Sequence, residues 1–322
     1  MVVLPLVLAA CATPHVQRTG EATTAPKILP HHIRTADADR LPLSVWRPEG
    51  EPRAVVLGLH GFNDYRRGFE ETGEFLAARG FLVYAYDQRG FGGTAHARLW
   101  FGGEAMAEDA RTVSGLLRRR HPGLPLYLIG ESMGAAVALV AANGGLPIDG
   151  LVLLAPAVWG RSTMPALQRG ALWFASHTFP ALTLSPRGLD IKPTDNKAAR
   201  RKLREDPLVI KETRTDALWG IAELMDRALV TAPPPDLPTL ILYGRRDEII
   251  PKPPTCRWLA GLPGSPAHRL AVYPDGWHML TRDLQGETVL TDIASWLADP
   301  LAALPSGVEV QGGLPRFCGG MA

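Results

Sequence analysis

The sequence predicts an α/β fold in which a mostly parallel central sheet is flanked by helices and carries an inserted helical cap. Two patterns support this prediction. Short apolar runs bounded by Gly, Pro or Asp alternate with segments of helical periodicity, which is typical of strands joined by helical crossovers. From residue 157 to residue 235 this alternation stops, and apolar residues at helical spacing take its place. We therefore expect a helical insertion at that point of the sheet domain.

The strands are predicted from six apolar runs, at residues 54–59, 81–86, 126–129, 151–154, 240–243 and 270–273. Runs this short and this apolar are typical of strands that are buried on both faces of a parallel sheet. Helices are predicted from about residue 69 to residue 80, over residues 104–120 and over residues 288–297. These helices fall between the strands or after the last one, as parallel connections require.

Four regions follow from this order of elements. Residues 31–156 and 236–299 are expected to form the α/β core, and residues 157–235 the helical cap. Residues 1–30 are expected to be a lipoprotein-type signal and a tether. From residue 300 to residue 322 Gly and Pro recur with little periodicity, which predicts an extended or disordered tail.

Composition and charge limit the classes of protein and partner. Hydrophobic residues make up 46% of the 322 positions, enough to fill an extended core. The 34 Lys and Arg residues nearly balance the 32 Asp and Glu residues, so the chain has no net field that would attract nucleic acid. The three arginines at residues 118–120 are interpreted as a solvated helix end. Nucleic acid is therefore not expected as a partner.

The three cysteines are too few for a disulfide framework, and their spacing matches no zinc pattern. No metal and no other cofactor is therefore expected. Cys256 and Cys318 are interpreted as two unrelated thiols, although they could pair in an oxidising compartment.

The N-terminal segment bears on where the protein resides. Apolar residues 1–10 end in the sequence LAAC at residues 8–11, which resembles a bacterial lipobox. The resemblance implies that the preceding segment is removed and that Cys11 carries a lipid anchor in the cell envelope. Ala12 stands where an aspartate is associated with retention in the inner membrane, which favours the outer membrane. The alternative is a frayed apolar terminus of a cytoplasmic protein.

The sequence GESMG at residues 130–134 is the strongest functional pattern. It follows the predicted strand 126–129 and opens into the helix-permissive sequence AAVAL at residues 135–139. A serine on a tight turn between a strand and a helix has strained backbone angles and an exposed hydroxyl, and the flanking glycines remove Cβ atoms that would clash. Ser132 is therefore predicted to be a nucleophile.

Such a serine needs a base within hydrogen-bond reach and an acid that orients the base. Asp247 and His278 follow successive late strands, so both are expected at the carboxyl edge of the sheet. We therefore predict His278 as the base and Asp247 as the acid. Taken singly, Asp247 could cap the next segment and His278 could be a surface histidine. Asp275 is a rival acid, disfavoured because it lies in the same turn as His278.

Acyl transfer also needs donors for the negative charge on the former carbonyl oxygen, each worth about 2.7 to 4 kcal/mol in known cases. The backbone N–H groups of Met133 and Phe62 are predicted to form this oxyanion hole, because they follow the nucleophile and the first buried strand. His60 is interpreted as a brace of that loop rather than as a base. Glu131 is interpreted as a structural neighbour rather than as a general acid.

Several motifs together resemble the monoacylglycerol lipase and lysophospholipase branch of the α/β-hydrolases, sometimes grouped with serine aminopeptidase-like hydrolases. They are HG at 60–61, YDQRGFG at 86–92, GESMG at 130–134, YGRRD at 243–247, GWH at 276–278 and, in the cap, DPL at 206–208. The resemblance covers roughly residues 43–297. It implies an α/β-hydrolase fold and a serine hydrolase whose cap admits one acyl chain to Ser132 and touches the membrane.

The expected function is the hydrolysis of carboxylic esters of mono-acyl lipids, such as monoacylglycerols or lysophospholipids, or of similar small apolar esters. The loop sequence FND at residues 62–64 departs from the family pattern, so the head group stays open. The cap aromatics Trp159, Trp173, Phe174 and Phe179 fit either an acyl tunnel or plain core. One alternative uses the same residues on peptide, thioester or acyl-transfer substrates. Another is a non-catalytic lipid-binding protein of the envelope.

Overall fold

The computed structural model of the protein describes residues 13–186, 188, 190–310 and 317–318. The strands are β1 (Lys27–Ile28), β2 (His32–Arg34), β3 (Arg40–Trp46), β4 (Ala54–Leu59), β5 (Phe81–Tyr86), β6 (Leu126–Glu131), β7 (Gly150–Leu154), β8 (Thr183–Leu184), β9 (Thr213–Arg214), β10 (Thr239–Gly244) and β11 (His268–Tyr273). The helices are α1 (Glu70–Ala77), α2 (Gly103–Arg120), α3 (Met133–Asn143), α4 (Ala166–Thr178), α5 (Lys197–Glu205), α6 (Thr215–Leu229), α7 (Lys252–Ala260) and α8 (Gly286–Ala298). All six predicted strands are present.

A nine-stranded sheet runs through the molecule in the order β1-β2-β3-β5-β4-β6-β7-β10-β11. From β5 to β11 every pairing is parallel, whereas β1, β2 and β3 pair antiparallel at one side. The predicted fold class is therefore confirmed. Because parallel strands all end at the same edge, the loops that follow β4, β6, β10 and β11 gather there.

The apolar core lies in two layers, one on each face of the sheet. Along β4, Val55, Leu57 and Leu59 belong to one layer and Ala54 and Val56 to the other, which is the period-two alternation of a strand. The first layer contains apolar residues of α2, α3 and α6, and the second contains those of α8 and of the segment around α1. Both faces of the sheet are thus covered, as a parallel sheet requires.

Helix α3, which begins directly after the predicted nucleophile, is buried along nearly its whole length. All of its residues except Asn143 are buried, and they are small or aliphatic. A helix that is apolar on all sides must be enclosed by other elements. Helix α3 is accordingly enclosed by the sheet, α2 and α6.

The segment before the sheet differs in part from the expected tether. Within the described residues, the N–H of Gln17 donates to the carbonyl of Trp100 at 2.7 Å, and the N–H of Gly20 donates to Asp37 at 3.1 Å. This part of the chain therefore lies against the domain. Cys11, the predicted lipidation site, lies outside the described residues.

The C-terminal segment also differs from its prediction. Residues 300–310 are not a disordered tail: residues 308–310 run extended beside β11, where the N–H of Val272 donates to Val308 at 3.2 Å and that of Val310 donates to Leu270 at 2.8 Å. The Arg269 guanidinium also forms an ion pair with Glu309 at 2.6 Å. These contacts are made along the outer side of β11. The prediction rested on the Gly and Pro content of the segment, which carries no information about such contacts.

Cys256 and Cys318 form a disulfide, with Cα atoms 5.6 Å apart. The interpretation as two unrelated thiols is therefore wrong. The two cysteines are 62 residues apart in the chain, and Cys256 lies in α7. The Phe317 ring beside Cys318 packs edge-on against Tyr243 at 5.6 Å between centroids.

The cap contains α4, α5, α6 and the small antiparallel pair of β8 and β9. Three of its four singled-out aromatics, Trp173, Phe174 and Phe179, are about half exposed, so they are not plain core. Leu167 and Leu182 extend this apolar surface. Across the described ranges no helix combines the length and the apolar character needed to span a bilayer.

Candidate active site

Ser132 lies in the turn between β6 and α3, at the carboxyl edge of the sheet. Its backbone has φ 53° and ψ −111°, in the left-handed half of conformational space that a residue with a Cβ rarely adopts. The N–H of Ser132 donates to the carbonyl of Leu154 at 2.8 Å, and its carbonyl accepts from Ala135 at 3.0 Å. The neighbouring strand and the following helix thus maintain a conformation that costs about 1–3 kcal/mol.

The two glycines of the GESMG turn are required by close backbone contacts. A Cβ on Gly134 would lie 2.0 Å from the carbonyl oxygen of Leu59, and one on Gly130 would lie 2.6 Å from the backbone nitrogen of Ala135. Helix α3 can therefore approach β4 and β6 closely enough to form the turn only without these side chains. The role predicted for the two flanking glycines is therefore confirmed.

Asp247 and His278 meet at the same edge. Nδ1 of His278 donates to Oδ2 of Asp247 at 2.8 Å, and both side chains are buried. The other carboxylate oxygen accepts from the N–H groups of Ile249 at 2.7 Å and Ile250 at 2.9 Å. Since the carboxylate accepts the proton of Nδ1, a neutral imidazole carries its free lone pair on Nε2.

Opposing effects act on the pKa of His278. Burial of the imidazole disfavours its charged form, but the charge of Asp247, the hydrogen bond to it and the charge of Glu131 outweigh burial. The charge of Arg282 acts in the opposite direction to these carboxylates. The net result is that the pKa of His278 is raised above its usual value of 6.5.

Asp275, the other candidate for the acid, makes no hydrogen bond to His278 but pairs with another residue. The exposed Asp275 carboxylate forms an ion pair with Arg246 on the surface. Of the two candidate carboxylates, the structure therefore brings only Asp247 to Nδ1 of His278. Close packing of the two loops helps, because a Cβ on Gly244 would lie 2.4 Å from the carbonyl oxygen of Trp277.

His60 braces the loop after β4. Its Nε2 accepts from the N–H of Gln88 at 2.9 Å, so Nδ1 holds the proton and donates to the carbonyl of Gly61 at 2.8 Å. The side-chain amide of Gln88 donates in turn to the carbonyl of His60 at 2.8 Å. Burial lowers the pKa of His60, which favours the neutral ring that this arrangement needs.

The loop that carries Phe62 borders the serine. A Cβ added to Gly61 would lie 3.6 Å from Cβ of Ser132. Within the described part of the chain, the N–H groups of Phe62 and Met133 donate to no other protein group. Two free amides therefore lie on either side of the Ser132 turn, one on the adjoining loop and one at the start of α3.

One group at this edge was not predicted as part of the site. Arg282 is 8% exposed, and its guanidinium donates to Asp64 at 2.7 Å and to both oxygens of Glu131 at 2.8 and 3.0 Å. Asp64 lies two residues after Phe62, and Glu131 directly precedes Ser132. The only sequence signal was that each of the three charged residues lies within four positions of a predicted site residue.

The Ser132 hydroxyl makes no hydrogen bond to a described residue in this conformation, and contacts between nucleophile and base are often long when no substrate is bound. No three His, Cys, Asp or Glu side chains of the described ranges are grouped so that they could hold a metal ion. A strained serine, a buried His–Asp pair and two free amides are the groups that acyl transfer uses.

This fold and this set of side chains define an α/β-hydrolase of the serine hydrolase class. A parallel sheet carries the serine on a strand-to-helix turn, and the paired Asp247 and His278 follow later strands, which gives the chain order Ser, Asp, His. The chain belongs to the serine aminopeptidase S33 family, whose sequence model matches residues 50–285.

Similar proteins agree with this assignment. The chain is 27% identical to a monoacylglycerol lipase of Mycolicibacterium smegmatis, over 84% of this chain and 97% of that protein. It is 28% identical to a monoglyceride lipase of Mus musculus, over 86% of this chain and 92% of that protein. A crystal structure of the monoacylglycerol lipase of Paleococcus ferrophilus superposes with a TM-score of 0.68 at 25% identity, over 80% of this chain and 98% of that chain.

Proposed function

We propose that the protein hydrolyses the carboxylic esters of mono-acyl lipids, with monoacylglycerols as the preferred substrates, through an acyl-enzyme on Ser132. The observation that carries this proposal is the 2.8 Å hydrogen bond between Asp247 and His278, at the sheet edge where Ser132 occupies its strained turn. Without an oriented base, a serine hydroxyl is a weak nucleophile at neutral pH.

In the first half of the proposed reaction, the Ser132 oxygen attacks the ester carbonyl while Nε2 of His278 takes the hydroxyl proton. The N–H groups of Phe62 and Met133 stabilise the negative charge on the former carbonyl oxygen. The carbon–oxygen bond to the alcohol then breaks, and His278 returns the proton to the leaving alcohol. A water molecule attacks the acyl-enzyme in the same way, releases the fatty acid and regenerates Ser132.

The substrate class is supported by the relatives and by the cap. The two relatives and the solved structure described above are all named for lipase activity on monoacylglycerols. The half-exposed cap aromatics and Leu167 form an exposed apolar surface of the kind that contacts a lipid or membrane. Peptide, thioester and acyl-transfer substrates have no comparable support, and a non-catalytic lipid carrier would have no need for an oriented His–Asp pair.

The experiment compares wild-type protein with Ser132→Ala on four substrates. These are a monoacylglycerol, a lysophospholipid with the same acyl chain, a p-nitrophenyl ester and an aminoacyl amide. We expect release of fatty acid mainly from the monoacylglycerol, labelling of the wild type by a fluorophosphonate probe, and a loss of about 10⁶-fold in kcat for Ser132→Ala. Activity retained by Ser132→Ala, or cleavage of the amide alone, would contradict the proposal.

For the location of the protein, we propose the bacterial cell envelope, with a lipid anchor on Cys11 and the outer membrane as the favoured membrane. The lipobox-like sequence before Cys11 supports the anchor. The Cys256–Cys318 disulfide supports an oxidising compartment, because such bonds are rare in the reducing cytosol. Mass spectrometry of the N-terminal peptide tests the lipid, and Cys11→Ala should move the protein from the membrane fraction to the soluble fraction.

A further inference from the structure

The buried ion cluster of Arg282, Asp64 and Glu131 lies where two loops meet the end of β6. Arg282 ends the 3-10 turn Leu280–Arg282, which begins two residues after His278. Its two carboxylate partners are 218 and 151 residues away in the chain. One guanidinium therefore joins the loop after β4, the end of β6 and the loop after β11.

Each of these three segments carries a group of the proposed reaction. Asp64 belongs to the loop of the Phe62 amide, Glu131 is bonded directly to Ser132, and Arg282 lies four residues after His278. A shift of the guanidinium would therefore change the distances between the amide donor, the nucleophile and the base.

The cluster is held in place from outside as well. The second oxygen of the Asp64 carboxylate accepts from the N–H of Tyr65 at 2.9 Å. The hydroxyl of Thr194, in the cap, donates to the carbonyl of Arg282 at 3.3 Å, and the N–H of Met279 donates to the carbonyl of Pro193 at 2.9 Å. Both ends of the turn that follows His278 are thus attached to the cap.

We propose that Arg282 is a positioning residue, which holds the Phe62 amide and Ser132 in register with His278 by pairing with Asp64 and Glu131. This inference rests on the proposed function. Arg282 would not touch the substrate, and its effect on catalysis would pass through the two carboxylates and the loops that carry them.

The cluster also changes the charge around the imidazole. The charged groups that act on His278 are Asp247 after β10, Glu131 at the end of β6 and Arg282 after β11. The carboxylates favour the imidazolium, whereas the Arg282 cation disfavours it. Removing Arg282 should therefore raise the pKa of His278 further, and removing the charge of Glu131 should lower it.

A purely structural ion cluster would behave differently. Removing one member of a buried ion pair leaves an uncompensated charge and reduces stability, wherever in the protein the pair lies. Such a substitution would lower the fraction of folded enzyme without changing the turnover of the molecules that remain folded. Arg269 lies on the outer strand β11, pairs with Glu309 and is also largely buried. Its replacement is therefore a matched control for this effect.

The experiment measures kcat, KM and the pH profile of kcat/KM on a p-nitrophenyl ester, with active sites counted by fluorophosphonate labelling. For Arg282→Met we expect kcat per labelled site to fall by about 10²-fold with little change in KM, as a displaced catalytic geometry predicts. Arg282→Lys should recover part of the loss. The acidic limb of the profile should move to higher pH in Arg282→Met and to lower pH in Glu131→Gln, while Arg269→Met should keep the wild-type values.

The inference is overturned if Arg282→Met and Glu131→Gln keep the wild-type kcat per labelled site and the wild-type acidic limb. If Arg282→Met does not fold, Arg282→Lys and Glu131→Gln decide the question by the same two readouts. Failure of the proposed function would look different, because the wild-type protein itself would then neither label nor cleave the ester.

Discussion

Asp247 and His278 are 31 positions apart in the chain, yet their side chains are joined by a 2.8 Å hydrogen bond in the interior. Two backbone N–H groups hold the second oxygen of the carboxylate, so the acid cannot turn away from the imidazole without losing them. The imidazole is therefore oriented before any substrate arrives, which is the condition for the proton transfer proposed for it.

Replacing Asp247 with Asn should lower kcat by about 10⁴-fold while leaving the fold intact, because the amide stabilises the wrong tautomer of His278. Asp275→Asn is the matched control, since that carboxylate pairs with Arg246 on the surface. Its kcat should equal that of the wild type. Steady-state kinetics and circular dichroism of both variants check the prediction, and equal losses in the two variants would contradict the assignment of the acid.

The pH dependence of the wild-type enzyme should show the raised pKa of His278. The base works only as neutral imidazole, so activity should rise with pH through that pKa and be low beneath it. Because the pKa lies above the usual 6.5, the acidic limb of kcat/KM should have its midpoint above pH 6.5. A midpoint below that value would show that burial of the ring outweighs the charge of Asp247.

The close contact between α3 and β4 predicts a large effect at Gly134. Its Cβ would lie 2.0 Å from a backbone oxygen, so Gly134→Ala should reduce the free energy of unfolding by about 3 kcal/mol. Gly170 in α4 is the control, because its Cβ would meet no atom within 4 Å. Gly170→Ala should stabilise by roughly 0.5–1 kcal/mol. Denaturant unfolding of both variants measures the two changes in the free energy of unfolding, which should have opposite signs.

The disulfide predicts a stability that depends on redox conditions. Cys256→Ser should reduce the free energy of unfolding by about 2–4 kcal/mol, because the bond constrains the unfolded chain. A reductant should produce a similar loss in the wild type and no additional loss in Cys256→Ser. Thermal unfolding with and without reductant makes the comparison, and a reductant effect of equal size in both proteins would argue against the bond.

Much of the fold could be predicted because its signals are local. Each buried parallel strand is a short apolar run, and the Ser132 turn is a contiguous sequence between a strand and a helix. The structure has the predicted strands and brings Asp247 to His278, because both follow neighbouring parallel strands. The antiparallel strand β3 has no continuous apolar run to mark it in the sequence. Buried and partly exposed residues are mixed along it, and it includes Pro42.

What escaped prediction depends on partners far apart in the chain. Glu131 and Arg282 are 151 residues apart, and either charge has many other possible partners in a chain with 34 basic and 32 acidic residues. Cys256 and Cys318 are a similar case. They are 62 residues apart, and the described residues that precede Cys318, up to residue 310, are ordered by contacts with β11 that their own periodicity does not indicate.

The path of residues 308–310 along β11 has a practical consequence for making the protein. Strand β11 is the last strand of the sheet, and a recombinant chain shortened to Asp299 would leave its backbone donors and acceptors unpaired, a template for self-association. Expression should therefore retain Cys318 and use an oxidising host, even though the last helix ends at Ala298.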